Sequence, residues 1–123
     1  MQTTAPRQSL WAPVIAPVIW AIHFMTCYTW AALACGRLAS DHSSARAETG
    51  IGIATAAAAI AIALCLMSGF HHLGRRLPDQ PNDDGTPEDR TRFMAFTTML
   101  LAALSLIATL FVGVAAIGMG ACR

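Results

Sequence analysis

Three long segments without a charged residue limit what this chain can fold into. No Asp, Glu, Lys or Arg occurs in residues 8–36, 49–74 or 93–122. A helix needs about 20 apolar residues to cross a bilayer core about 30 Å thick, and each segment exceeds that length. We therefore predict an all-α integral membrane protein with three transmembrane helices. The predicted helices cover approximately residues 10–35, 49–71 and 87–119.

The composition agrees with a membrane protein rather than a soluble bundle. Only 12% of the residues are charged and 55% are hydrophobic, whereas a soluble domain is about 25% charged. A soluble helix would need a polar face, which these segments lack. A net charge of +1 gives no electrostatic basis for nucleic-acid binding. We expect one domain over residues 1–123, with an 8–9-residue N-terminal tail and a polar cytoplasmic loop at 74–86.

The arginines predict the orientation of the chain. All eight basic residues are Arg, which is typical of a GC-rich bacterial genome. The side shared by the N-terminus and the second loop carries five of them: Arg7, Arg75, Arg76, Arg90 and Arg92. The other side carries three: Arg37, Arg46 and Arg123. Since arginine is enriched in cytoplasmic loops, we expect a multi-pass protein of the bacterial inner membrane, with a cytoplasmic N-terminus and a periplasmic C-terminus.

The four cysteines fall into two classes. Cys27 and Cys65 lie within spans, where we expect them to be small packing residues. Cys35 and Cys122 end the first and third spans, so a three-span topology places both on one side. If that side is the oxidising periplasm, the two thiols can pair. We therefore predict a Cys35–Cys122 disulfide.

One side of the first span combines two prolines, aromatic residues and a histidine. At 100° per residue, this stripe consists of Pro13, Pro17, Trp20, His23, Phe24 and Cys27. A polar group inside a membrane normally faces protein rather than lipid. We therefore expect the stripe to face another helix, either in the same chain or in a partner.

Three roles are open for His23. It is expected first as a neutral buried imidazole that hydrogen-bonds a carbonyl or hydroxyl, and otherwise as a haem or metal ligand, or as a proton-relay or quinone-site residue. His23 and Cys27 are spaced to share a metal, but two ligands alone do not define a site. We therefore predict no metal and no cofactor on this chain. Haem b, held through His23 or His71, is the alternative.

The second span is rich in small residues. Two small-xxx-small pairs, Gly52/Ala56 and Ala57/Ala61, would let helix backbones approach closely. This span is expected to form the packed centre of the bundle or a face offered to a partner. Because three such helices bury little area among themselves, we expect a partner subunit or a homo-oligomer.

Cationic groups follow the second span. His71, His72, Arg75 and Arg76 lie at its C-terminal end, where positive charge is favourable. A contact with a lipid phosphate or a quinone headgroup is the alternative. The spans contain no acidic or basic side chain, and the chain has no phosphate loop or HExxH motif. We therefore expect no enzymatic activity from this chain alone.

Two spans resemble a known family. The first is LWAPVIAPVIWAIHFMTCYTWAALACGR, with Pro17, Trp20-x-x-His23-Phe24, Tyr28, Cys35 and Arg37 as the matching positions. The third has Arg92-Phe93, then LLAALSLIATLF, then Cys122 near the C-terminus. These segments, roughly half the chain, resemble small bacterial proteins with three membrane helices that are encoded beside haem-copper terminal oxidase subunits, including caa3-type cytochrome c oxidases.

This resemblance implies a non-catalytic accessory subunit, or an assembly or stability factor, of a respiratory oxidase. Its partners would be the larger membrane subunits of that oxidase. The alternative is a haem- or quinone-binding membrane anchor similar to those of succinate dehydrogenase. The stretch from His71 to Arg76 is weakly similar to the His- and Arg-containing stretch of such anchors, but it differs in spacing and lies at a helix end.

Overall fold

The described residues of the computed structural model form three long helices. These residues are 11–36, 43–74 and 87–118, and their side chains are described for 11–36, 45–71 and 89–118. The helices are α1 (Ala12–Gly36), α2 (Ser43–Gly74) and α3 (Pro87–Gly118). Within those ranges no strand occurs, and each helix is long and apolar enough to cross a membrane. The predicted all-α class with three spans is therefore confirmed.

The helix boundaries match the prediction closely except at the start of α2. This helix begins at Ser43, six residues before the predicted position 49, because it continues through Arg46 and Glu48 beyond the apolar segment. With 32 residues it is about 48 Å long, which exceeds a hydrocarbon core of about 30 Å. The predicted N-terminal tail and residues 75–86 of the predicted loop lie outside the described residues.

Contacts between side chains establish how the helices run. His23 and Trp30 of α1 contact Thr55 and Gly50 of α2, so α1 and α2 are antiparallel. The positions of Thr55 and Gly69 on α2 lie against Gly113 and Met99 on α3, which makes α2 and α3 antiparallel as well. Consequently α1 and α3 run parallel. Every pair of helices is in contact.

The buried positions of each helix follow a heptad-like spacing. On α1 they are Ala16, His23, Cys27 and Ala34, and on α2 they are Ala47, Ile51, Ala58 and Ile62. On α3 they are Ala102, Ser105, Thr109 and Gly113. Steps of three, four and seven residues are typical of helices that cross at about 20° with a left-handed twist. Most of these residues are small, so the helix backbones approach closely.

Large apolar side chains lie mainly on the outside of the bundle. Ile22, Leu104 and Phe111 are 61%, 62% and 74% exposed, although side chains of this kind are usually buried in soluble proteins. An apolar exterior around a small-residue interior suits a protein whose solvent is lipid. The structure therefore supports a multi-pass membrane protein.

Candidate functional site

The interior of the bundle contains a cluster of polar side chains that we call the polar centre: His23, Cys27 and Thr55. His23 is only 4% exposed. Its Nε2 atom lies 3.0 Å from Oγ1 of Thr55 on α2 and 3.3 Å from Sγ of Cys27, one turn later on α1. His23 is near the middle of α1, so the polar centre lies near the middle of the span.

The proton positions in the polar centre follow from Thr55. Its hydroxyl donates a hydrogen bond to the carbonyl of Ile51, at 2.8 Å. Because that donation uses the only hydroxyl proton, Oγ1 can only accept from His23. In the neutral imidazole, Nε2 therefore carries the proton and donates it to Thr55. His23 thus has a hydroxyl partner, as expected for a buried intramembrane imidazole.

Helix α3 packs directly against Thr55. A Cβ atom at Gly113 would lie 2.5 Å from Cγ2 and 2.7 Å from Oγ1 of Thr55. Real Cβ atoms do not approach other atoms so closely, so only glycine fits at this position. Gly113 therefore packs closely against Thr55, and all three helices meet at this point.

The buried face of α3 is itself polar near this level. Thr109 is completely buried and donates a hydrogen bond to the carbonyl of Ser105, which is also buried. Ala16 and Ala102 belong to one core cluster, and one heptad further along these parallel helices are His23 and Thr109. Hydroxyl groups of α3 therefore lie at the depth of the imidazole.

Two buried polar atoms among the described side chains have no hydrogen-bond partner. They are Nε1 of Trp20 and Nδ1 of His23. Nε1 of an indole is a donor, and Nδ1 of the tautomer assigned above is an acceptor. Trp20 also stacks on Phe24, with ring centroids 6.2 Å apart. The hydrogen bonding of the polar centre is thus incomplete at Nδ1 of His23.

The predicted stripe on α1 is divided between the interior and the surface. His23 and Cys27 are buried against the chain's own helices, Pro13, Pro17 and Trp20 are partly buried, and Phe24 is exposed. The stripe was expected to face either a helix of the same chain or one of a partner, and its central residues face helices of the same chain. A contact of its remaining surface with a partner stays a prediction.

The predicted packing residues of α2 lie mostly outside the bundle. Ala56 and Ala57 are exposed, Gly52 and Ala61 are partly buried, and a Cβ at Gly52 would meet nothing within 4 Å. The interior of the bundle is lined instead by other residues of this helix. These small residues were expected either at the packed centre of the bundle or on a face offered to a partner, and the second alternative stays a prediction.

The cysteines divide as the sequence suggested. Cys27 and Cys65 are free thiols, whereas Cys35 is disulfide-bonded. Its predicted partner, Cys122, lies outside the described residues, so the Cys35–Cys122 pairing itself stays a prediction.

The predicted headgroup contact lies largely beyond what the structure describes. His71 is exposed at the end of α2. The side chains of His72, Arg75 and Arg76 lie outside the described residues, so a contact with a lipid phosphate or quinone headgroup stays a prediction.

Neither Thr55 nor Gly113 was among the residues predicted from the sequence. The rule applied to His23, that polar groups inside a membrane face protein, applies equally to a threonine in a span. Thr55 interrupts an apolar run of Ala and Ile, and this signal could have placed it opposite His23.

The geometry of the polar centre limits its chemistry. A nucleophilic cysteine needs a base whose second ring nitrogen is held by another group, but both Thr55 and Cys27 contact the same nitrogen of His23. Among the described residues no group of three His, Cys, Asp or Glu side chains could hold a metal. Both ring nitrogens are enclosed, so a haem bound to His23 would require the helices to separate.

In comparisons with known proteins, no family model, no curated protein and no solved structure matches this chain.

Proposed function

We propose that this chain is a non-catalytic accessory subunit, or an assembly or stability factor, of a bacterial respiratory haem-copper oxidase. One structural observation supports a partner-binding role: Ala56 and Ala57 of α2 are exposed, and a Cβ at the partly buried Gly52 would meet nothing within 4 Å. Small residues on a lipid-facing surface let another helix approach closely. The identity of the partner comes from the resemblance of the first and third spans.

The disulfide at Cys35 supports the proposed orientation. Disulfides form and persist in the periplasm rather than the cytoplasm. Cys35 is the penultimate residue of α1, so its disulfide favours a periplasmic C-terminal end for this helix. The arginine distribution favours the same orientation. We therefore propose the bacterial inner membrane, with the N-terminus cytoplasmic.

The alternative role as a haem-binding anchor receives less support. His23 would need to expose a ring nitrogen to a haem, yet its Nε2 is bonded to Thr55 and its Nδ1 is enclosed. His71 is accessible, but it lies at the end of α2.

Co-purification from the source bacterium tests the proposed function. A tagged chain extracted in mild detergent should carry oxidase subunits with it. Ala56→Leu should remove them, because the larger side chain blocks a close approach of helices. Ala21→Leu, at an exposed position of α1, is the matched control and should retain them. Oxidase subunits absent from the wild-type preparation, or equal recovery with Ala56→Leu and Ala21→Leu, would refute the proposed interface or partner.

A further inference from the structure

We propose that the polar centre is a binding site for a soft monovalent metal ion, Cu(I), with Cys27 and His23 as its ligands and Thr55 as a weak third donor. The three donor atoms already converge. Nε2 of His23 lies 3.3 Å from Sγ of Cys27 and 3.0 Å from Oγ1 of Thr55.

The separation of these atoms is close to that of metal ligands. At bond lengths like those of zinc, about 2.0 Å to nitrogen and about 2.3 Å to sulfur, an ion with three ligands at trigonal angles holds the two atoms about 3.7 Å apart. The observed 3.3 Å between Nε2 and Sγ needs an expansion of only a few tenths of an ångström.

The kind of ligand and the membrane setting favour Cu(I). Thiolate and imidazole are ligands that copper accepts, and thiolate in particular selects Cu(I). Zinc sites usually have four strong ligands, and no set of three His, Cys, Asp or Glu occurs among the described residues. A thiolate also cancels the single charge of Cu(I), whereas a divalent ion would leave a net charge in the bilayer, which is costly.

The surroundings of Thr55 are already organised. Gly113 and the carbonyl of Ile51 hold Thr55 in one orientation, and burial keeps water from Cys27 and His23. On binding, the copper ion replaces the thiol proton of Cys27, which is released to solvent. The proton of His23 moves from Nε2 to Nδ1, so the imidazole stays neutral while Nε2 binds the metal. One proton is therefore released for each copper ion bound.

Competition with a coloured Cu(I) chelator, bicinchoninate, tests this proposal. The full chain is purified in detergent micelles under anaerobic conditions, and ascorbate keeps the copper monovalent while leaving disulfides intact. We expect one copper ion per chain, with release of one proton. Cys27→Ala should abolish binding, and Thr55→Val should weaken it by about 10- to 100-fold, as changes next to a metal site typically do.

Cys65→Ala is the matched control, because Cys65 is the other free thiol of the described residues and lies away from the polar centre. It should bind copper like the wild type. No copper on the wild type, full retention by Cys27→Ala, or loss in Cys65→Ala would each overturn the proposal.

X-ray absorption on the wild-type chain gives a readout that does not depend on how the variants fold. Copper bound to one sulfur and to nitrogen or oxygen supports the site, and copper without sulfur overturns it. The proposal does not rest on the proposed role at an oxidase, because it is tested on the isolated chain. Failure of either experiment leaves the other conclusion unaffected.

Discussion

Replacing Gly113 by alanine is expected to disrupt the contact at which the three helices meet. The new Cβ would lie 2.5, 2.7 and 3.1 Å from Cγ2, Oγ1 and Cβ of Thr55. Thr55 is β-branched and packed between helices, so it cannot turn away cheaply. Overpacking of this kind costs about 1–3 kcal/mol, and loss of an interhelical hydrogen bond in a membrane costs about 0.6–2 kcal/mol. We therefore expect Gly113→Ala to lower the free energy of unfolding by about 2–5 kcal/mol.

Reversible unfolding in mixed micelles, followed by circular dichroism as the fraction of dodecyl sulfate rises, measures this change. Gly52→Ala is the matched control, because a Cβ there meets nothing within 4 Å. Both changes carry the same gain in helix propensity, so their difference isolates the clash. Equal stability of the two variants would refute the reasoning.

A double-mutant cycle then identifies the clashing residue. Thr55→Ala removes both Cγ2 and Oγ1, the two atoms nearest the new Cβ. Gly113→Ala should therefore cost at least about 1 kcal/mol less in the Thr55→Ala background than in the wild type. Additive effects of the two substitutions would mean that Gly113 acts through a different neighbour.

Two further predictions concern the contact of Gly50 with Trp30 and the accessibility of the cysteines. Gly50→Ala would place its Cβ 2.5 Å from the Trp30 ring, but that ring is 48% exposed and can rotate outward. The unfolding free energy should therefore fall by less than about 1 kcal/mol, and the tryptophan fluorescence of the chain should shift. A loss of stability as large as that of Gly113→Ala would contradict this prediction. Alkylation of the folded protein in detergent should modify the partly buried Cys65 faster than the buried Cys27, and Cys35 should react only after reduction. Mass spectrometry of peptides measures this order, and a reversed order would contradict the prediction.

The sequence was sufficient to predict the three spans because the cost of placing charges in lipid leaves long apolar segments. The predicted span begins at residue 49 whereas the helix α2 begins at Ser43, since helical structure does not stop where the hydrocarbon stops. Arg46 and Glu48 are compatible with a helix in the headgroup region. The apolar segment therefore indicates the membrane thickness rather than the helix length.

The interior of the bundle was harder to predict, and α2 shows why. Its run of alanines from Ala56 to Ala59 gives no side of the helix a distinct size or polarity. The buried face of α2 includes instead Ile51, Ala58 and Ile62, and the residues of other helices that cover this face lie far away in the sequence. His23 was recognised as a protein-facing residue because it is polar, but its partner Thr55 depends on the antiparallel register of α1 and α2.

The hydrogen bond between His23 and Thr55 also bears on how the protein enters the membrane. It joins α1 to α2, which leave the ribosome before α3. The hydroxyl groups of Thr97, Thr98 and Thr109 on α3 instead bond carbonyls of their own helix. Nε2 of the imidazole can therefore find its partner while α3 is still being synthesised, so the α1–α2 hairpin does not depend on α3 for this hydrogen bond. Helix α3 can then pack against the hairpin through van der Waals contacts, with Gly113 against Thr55, which is already held by its hydrogen bonds.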